Sequence, residues 1–135
     1  MRDGVHMASK GKVLLMDDEQ IILDVTLEVL KFLDYEVKFA RDGAAALEIY
    51  RNEKEAGSPF DLVILDLSVP EGLGGKEAIA LLKAYDPNIR AIVSSGYTHD
   101  PVVQDFRRYG FSGVLSKPYK ISDMKQILEQ MVKKA

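Results

Sequence analysis

Leu62-Val63-Ile64-Leu65-Asp66 is the stretch on which the fold turns. Four consecutive apolar residues without alternation are too few for a helix and too uniform for a strand with one wet face. They fit a central strand covered on both sides by helices, which is the environment of a parallel sheet. A carboxylate ends the run. The same pattern repeats on either side of it. Val13-Leu14-Leu15 leads into Met16-Asp17-Asp18-Glu19, Ala91-Ile92-Val93 into Ser94-Ser95, and Gly113-Val114-Leu115 towards Lys117-Pro118. In a parallel sheet the carboxyl ends of the strands open on one edge, so these polar groups converge.

Between the apolar runs lie stretches of helical length. From about Gln20, Ile22, Val25, Val29 and Phe32/Leu33 recur at spacings of three and four, which predicts a helix with that apolar face. Tyr35 to Ala40 is expected as the second strand. Asp42 is placed to cap a helix running to about Lys54, terminated by Gly57-Ser58-Pro59. A third helix is expected from about Gly75 to Tyr85, stopping ahead of Asp86-Pro87 because the residue before proline disfavours helical geometry. Ile89 to Val93 forms the fourth strand. Asp100-Pro101 combines an N-cap carboxylate with proline at the first helical position, predicting a fourth helix as far as Gly110. Ile121, Met124, Ile127/Leu128 and Met131 mark the last helix. Five strands alternating with five helices give an α/β, doubly wound parallel sheet. The flavodoxin-like order 2-1-3-4-5 sets the first and third strands side by side at the topological switch point. Both acidic clusters end those two strands.

Composition narrows the function. A chain of 135 residues with a net charge of -3 gives no electrostatic reason to expect nucleic acid or an anionic membrane as partner. The absence of cysteine excludes disulfides and thiolate metal sites and suits the cytoplasm. No apolar stretch approaches the roughly 18 residues needed to cross a bilayer. Met1 to Lys10 is polar, without periodicity, and contains His6-Met7-Ala8-Ser9; it is expected to be a linker or vector-derived leader before a domain spanning 11–135.

Three carboxylates at one sheet edge repel one another. Asp17, Asp18 and Asp66 against the single Lys117 leave a charge that one divalent cation would cancel, and hard oxygen ligands select magnesium or manganese. One aspartate would suffice as a helix cap; two followed by Glu19 exceed that need. Beside a metal and an ammonium, Asp66 is a competent nucleophile towards phosphorus. The equatorial oxygens of a transferred phosphoryl group would find the metal, Lys117 and the Ser95 hydroxyl. Proline makes a cis Lys117-Pro118 bond cheap enough to be open to this chain.

With these residues in place the chain resembles a receiver domain of the two-component response-regulator family, over Lys12 to Val132. The resemblance rests on the Asp17-Asp18 pair, on Asp66 followed by Pro70 and Gly74, on Ser95, and on Lys117-Pro118. It implies Asp66 as phosphoacceptor and Asp18 as direct metal ligand. Asp17 would act through metal-bound water, and Ser68 would offer its carbonyl to the metal. Ser95 is implied as the switch hydroxyl and Lys117 as the contact to the phosphoryl group, while Ser94 is expected to serve the strand end only. Gly74-Gly75-Lys76-Glu77, Ser94-Ser95-Gly96-Tyr97 and Tyr109-Gly110-Phe111-Ser112-Gly113 resemble receivers at the C-terminus of hybrid sensor histidine kinases. Implied partners are a histidine kinase or histidine phosphotransfer domain as donor, and a protein target reached through the fourth helix, fifth strand and fifth helix. The aromatic residue often found three positions before the lysine is Val114 here, and Tyr97 is a candidate to replace it.

Other functions fit less well. A flavodoxin-type cofactor site needs backbone donors after the first strand, where this chain has Asp-Asp-Glu. A haloacid-dehalogenase-like phosphatase has a second aspartate two residues after its nucleophile, where this chain has Ser68. A phosphorylation-independent interaction module would have no need of the charge cluster.

Overall fold

The structure, a computed structural model, describes residues 9–69, 72–97 and 99–132. The expected leader therefore lies almost wholly outside the described residues, as does Pro70. Strands β1 (Gly11–Met16), β2 (Tyr35–Ala40), β3 (Leu62–Asp66), β4 (Ala91–Ser95) and β5 (Gly113–Ser116) alternate with helices α1 (Gln20–Phe32), α2 (Gly43–Glu55), α3 (Gly75–Tyr85), α4 (Pro101–Gln104) and α5 (Ile121–Met131). All strand pairs are parallel, and the sheet order is β2-β1-β3-β4-β5, as the alternation of elements predicts. Asp66 is in register with Ser94, and Ser95 with Ser116.

Strand pleating divides the core in two. Leu14, Met16, Val63, Leu65 and Val93 face α2 and α3, where they meet Ala46, Tyr50, Ile79 and Leu82. Val13, Leu15, Leu62, Ile64 and Ile92 face the other way onto Leu23, Leu30, Met124 and Leu128 of α1 and α5. Every residue of β1, β3 and β4 is buried, which is why their sequences lack polar alternation. β1 begins two residues before the apolar run suggests, because Gly11 and Lys12 pair with Tyr35 and Glu36. Lys12 is tolerated there because its ammonium meets Glu53 and the Ser58 carbonyl and hydroxyl, and lies over the Phe60 ring.

Three helices differ in part from expectation. α1 turns Leu23, Thr26 and Leu30 inward beside the predicted Leu33, with Val29 partly buried, and leaves the predicted Val25 and Phe32 exposed. The helix carries apolar residues on most of its circumference, so periodicity alone offered two equivalent stripes. On α5 the predicted Met124 and Leu128 are buried, Ile127 and Met131 pack against the same core, and of the predicted face only Ile121 is exposed. The predicted fourth helix is shorter than the stretch to Gly110. Its start is as expected, with the Asp100 carboxylate accepting the Val102 N–H at 2.9 Å. After one turn Asp105 leaves helical geometry, and a 3-10 segment, Phe106–Tyr109, completes the connection. The two valines of that turn and Asp105 after it are poor helix formers, and of the turn only Val102 is buried.

At the site end, α3 begins directly beneath β3. A Cβ on Gly75 would stand 2.8 Å from the Asp66 carbonyl oxygen, so the close approach of α3 to the strand end requires glycine.

The face assignment of α1 is testable by denaturant melts. Leu30→Ala should destabilise by about 2–4 kcal/mol through cavity formation. Phe32→Ala should stay within about 0.5 kcal/mol.

Candidate functional site

Asp17, Asp18 and Asp66 each offer a carboxylate oxygen, all within 4.8 Å of one another. Asp17 and Asp66 are buried and Asp18 is half-buried. β1 and β3 are neighbours, so the switch point brings these ends together as the order 2-1-3-4-5 requires. Lys117, from the end of β5, reaches across with its ammonium 2.7 Å from Asp17 Oδ2 and 3.1 Å from Asp66 Oδ1. Glu19 stands farther out, 3.9 Å from the same nitrogen. The Lys117-Pro118 peptide bond is cis.

Backbone bonds hold the frame. The Asp17 N–H donates to the Ala40 carbonyl, the Leu67 N–H to Ser94, and the Lys117 N–H to Ser95. Asp17 Oδ1 accepts the Glu19 N–H at 2.9 Å, so half of this carboxylate does turn-forming work. Its Oδ2 is ion-paired with Lys117 but makes no hydrogen bond of good angle. The Asp18 carboxylate has no partner among the described residues; its carbonyl accepts from Arg41 at 3.3 Å. The Ser68 N–H leans on Asp66 Oδ1 at 3.4 Å.

Burial and neighbouring charge shift the protonation of Asp66 and Lys117. Burial, and secondarily the Asp17 charge, push the Asp66 carboxyl up to about 6, against the opposing pull of Lys117 and the Ser68 N–H. The Lys117 ammonium is held well above the ordinary lysine range by Asp17 and Asp66, which outweigh its burial. A group of under-satisfied carboxylate oxygens with no histidine or cysteine among them suits a hard divalent cation. The residues present fit magnesium.

Ser95 is buried, but its hydroxyl bonds to Tyr97, accepting the N–H at 2.9 Å. Tyr97 itself is 70% exposed. Val114 is partly buried against the α2/α3 side of the core. One pair escaped the sequence reading. Ser94, expected to serve only the strand end, has its hydroxyl bonded to the Tyr119 hydroxyl. Burial pushes the Tyr119 phenol up to about 12. The alternation Ile92-Val93-Ser94 already aims Ser94 at the α1/α5 face; its partner could be found only in three dimensions.

In the metal-free protein a carboxyl raised above its ordinary value holds its proton more tightly folded than unfolded. Stability should therefore fall as pH rises from about 4 through 6. Asp66→Asn should abolish that slope. In melts with a chelator it should exceed wild type by about 1–3 kcal/mol at pH 7 and match it near pH 4.

Comparison with known proteins agrees with this geometry. The family model for the response regulator receiver domain matches residues 13–129. Sporulation initiation phosphotransferase F of Bacillus subtilis is 29% identical over 119 residues, covering 88% of this chain and 91% of the relative. The sensor kinase CckA of Brucella abortus is 28% identical over 95% of this chain, which spans only 13% of that protein. Among solved structures, the receiver domain of sensor histidine kinase PA1611 from Pseudomonas aeruginosa superposes with a TM-score of 0.79 at 21% identity, covering 90% of this chain and 97% of the other. The chain belongs to the response regulator receiver domain family and is a receiver domain of two-component signalling.

Proposed function

We propose that Asp66 is the phosphoacceptor of this receiver domain, with Lys117 and a magnesium ion held by Asp18, Asp66, the Ser68 carbonyl and, through water, Asp17. The observation that carries the assignment is the Lys117 ammonium, within reach of both Asp17 and Asp66 at the one edge where two strand ends deliver three carboxylates. An Asp66 oxygen attacks the phosphorus of a phosphohistidine. The P–N bond breaks, its electron pair stays on the imidazole nitrogen, and an acyl phosphate is left on Asp66. At pH 7 most of the Asp66 carboxyl is ionised and able to attack. Lys117 neutralises charge on the incoming oxygens, and the buried setting strengthens that interaction. Bound magnesium would supply further neutralisation of the phosphoryl oxygens.

Support for the cation comes from the donor set, and the PA1611 receiver was solved with magnesium coordinated in its active-site cleft. The donor is a histidine kinase or histidine phosphotransfer domain. A sensor kinase among the relatives supports this, and leaves room for a hybrid kinase as parent chain. Residues 11–135 form the functional unit. Ser95 acts as the switch: drawing its hydroxyl towards a phosphoryl group would break the turn it makes with Tyr97 and reshape the start of α4. The altered surface is the face of α4, β5 and α5, to which a protein target binds. With Val114 in place of an aromatic residue, the response stays close to Ser95.

Incubation with acetyl phosphate and magnesium should add one phosphoryl group to wild type and none to Asp66→Asn by intact mass; equal labelling would defeat the assignment. Calorimetry should find magnesium affinity at least tenfold weaker in Asp18→Ala, with the fold retained.

A further inference from the structure

The Ser94–Tyr119 pair places two hydroxyls where apolar side chains would pack. Ser94 is fully buried and continues the stripe of Ile92 towards α1 and α5. Tyr119 packs its ring partly buried against the same cluster. A buried hydroxyl needs a partner, and each of these supplies the other. Replacing both by apolar groups of the same shape would be nearly neutral for stability, so stability alone does not account for them.

Their position does. Ser94 is in register with Asp66, and its carbonyl accepts the N–H of Leu67, the residue after Asp66. Tyr119 lies two residues beyond Lys117. The Lys117 segment is therefore tied to β4 twice, before its side chain by the Lys117 N–H to the Ser95 carbonyl, and after it by the Tyr119 hydroxyl to Ser94. One residue of β4 thus grips the acceptor loop with its backbone and the lysine loop with its side chain.

We propose that the Ser94–Tyr119 hydroxyl pair is a positioning device that fixes the Lys117 ammonium relative to Asp66. The proposal rests on Asp66 being the phosphoacceptor. Lysine has a long flexible side chain, so where its backbone is anchored decides how often the ammonium sits within bonding distance of a transferred phosphoryl group. Small displacements of such groups cost large factors in rate.

The test compares wild type, Tyr119→Phe, Ser94→Ala, the double variant Ser94→Ala/Tyr119→Phe and Asp66→Asn, using acetyl phosphate with magnesium. Each single variant of the pair strands one buried hydroxyl and should lower Tm by roughly 3–6 °C, most of which the double variant should regain. A purely structural pair would restore kinetics together with stability. A positioning pair would leave the double variant stable but slow. The rate constant at saturating acetyl phosphate should fall about tenfold in Tyr119→Phe and stay there in the double variant, while the half-saturating concentration changes less than twofold. A double variant phosphorylated at the wild-type rate would overturn the proposal. Should it not fold, Tyr119→Phe, which keeps its ring, decides the matter by the same rate. Failure of wild type itself to label, or labelling of Asp66→Asn, would instead remove the acceptor assignment and the proposal with it.

Discussion

One ammonium stands against three carboxylates, and the architecture is arranged around that imbalance. Lys117 is within ion-pair distance of Asp17 and Asp66, which come from two other strands. Burial makes these contacts strong and also makes an unmatched negative charge expensive. The result is an Asp66 carboxyl whose proton affinity is raised although a lysine sits beside it. Such a site is stabilised by whatever brings positive charge and is displeased by its own ionisation. Stability has been given up where the carboxylates gather.

The sheet is what makes the imbalance sustainable. β1 and β3 lie at the switch point, buried on both faces, and neither can shift to separate the carboxylates without dragging apolar side chains out of two cores. Gly75 lets α3 close against the end of β3. Repulsion at the edge is thus opposed by burial throughout the body of the strands.

Much of this was legible because it is written in strand-end residues. An uninterrupted apolar run followed by a carboxylate announces both a buried parallel strand and its polar end, so the sheet order, Asp17, Asp18, Asp66 and Lys117 could be placed together before any coordinates. What escaped depends on choices among equals or on distant partners. The face of α1 was misplaced in part because apolar side chains surround that helix. The short α4 was overestimated because its start signals are strong while the weakness lies in its interior. Ser94 and Tyr119 are 25 residues apart, and no periodicity links them.

The brevity of α4 carries a consequence for how change spreads. A helix of four residues, Pro101–Gln104, has almost no internal ladder to hold its shape, and the chain beyond it passes through Asp105 into a 3-10 segment. Long helices transmit force as rods, whereas this element is too short to act as one. A displacement arriving from the neighbouring end of β4 would be absorbed as local refolding of a few residues and would not swing a rigid lever. The fold has in effect put its shortest helix beside the sheet edge where its carboxylates gather.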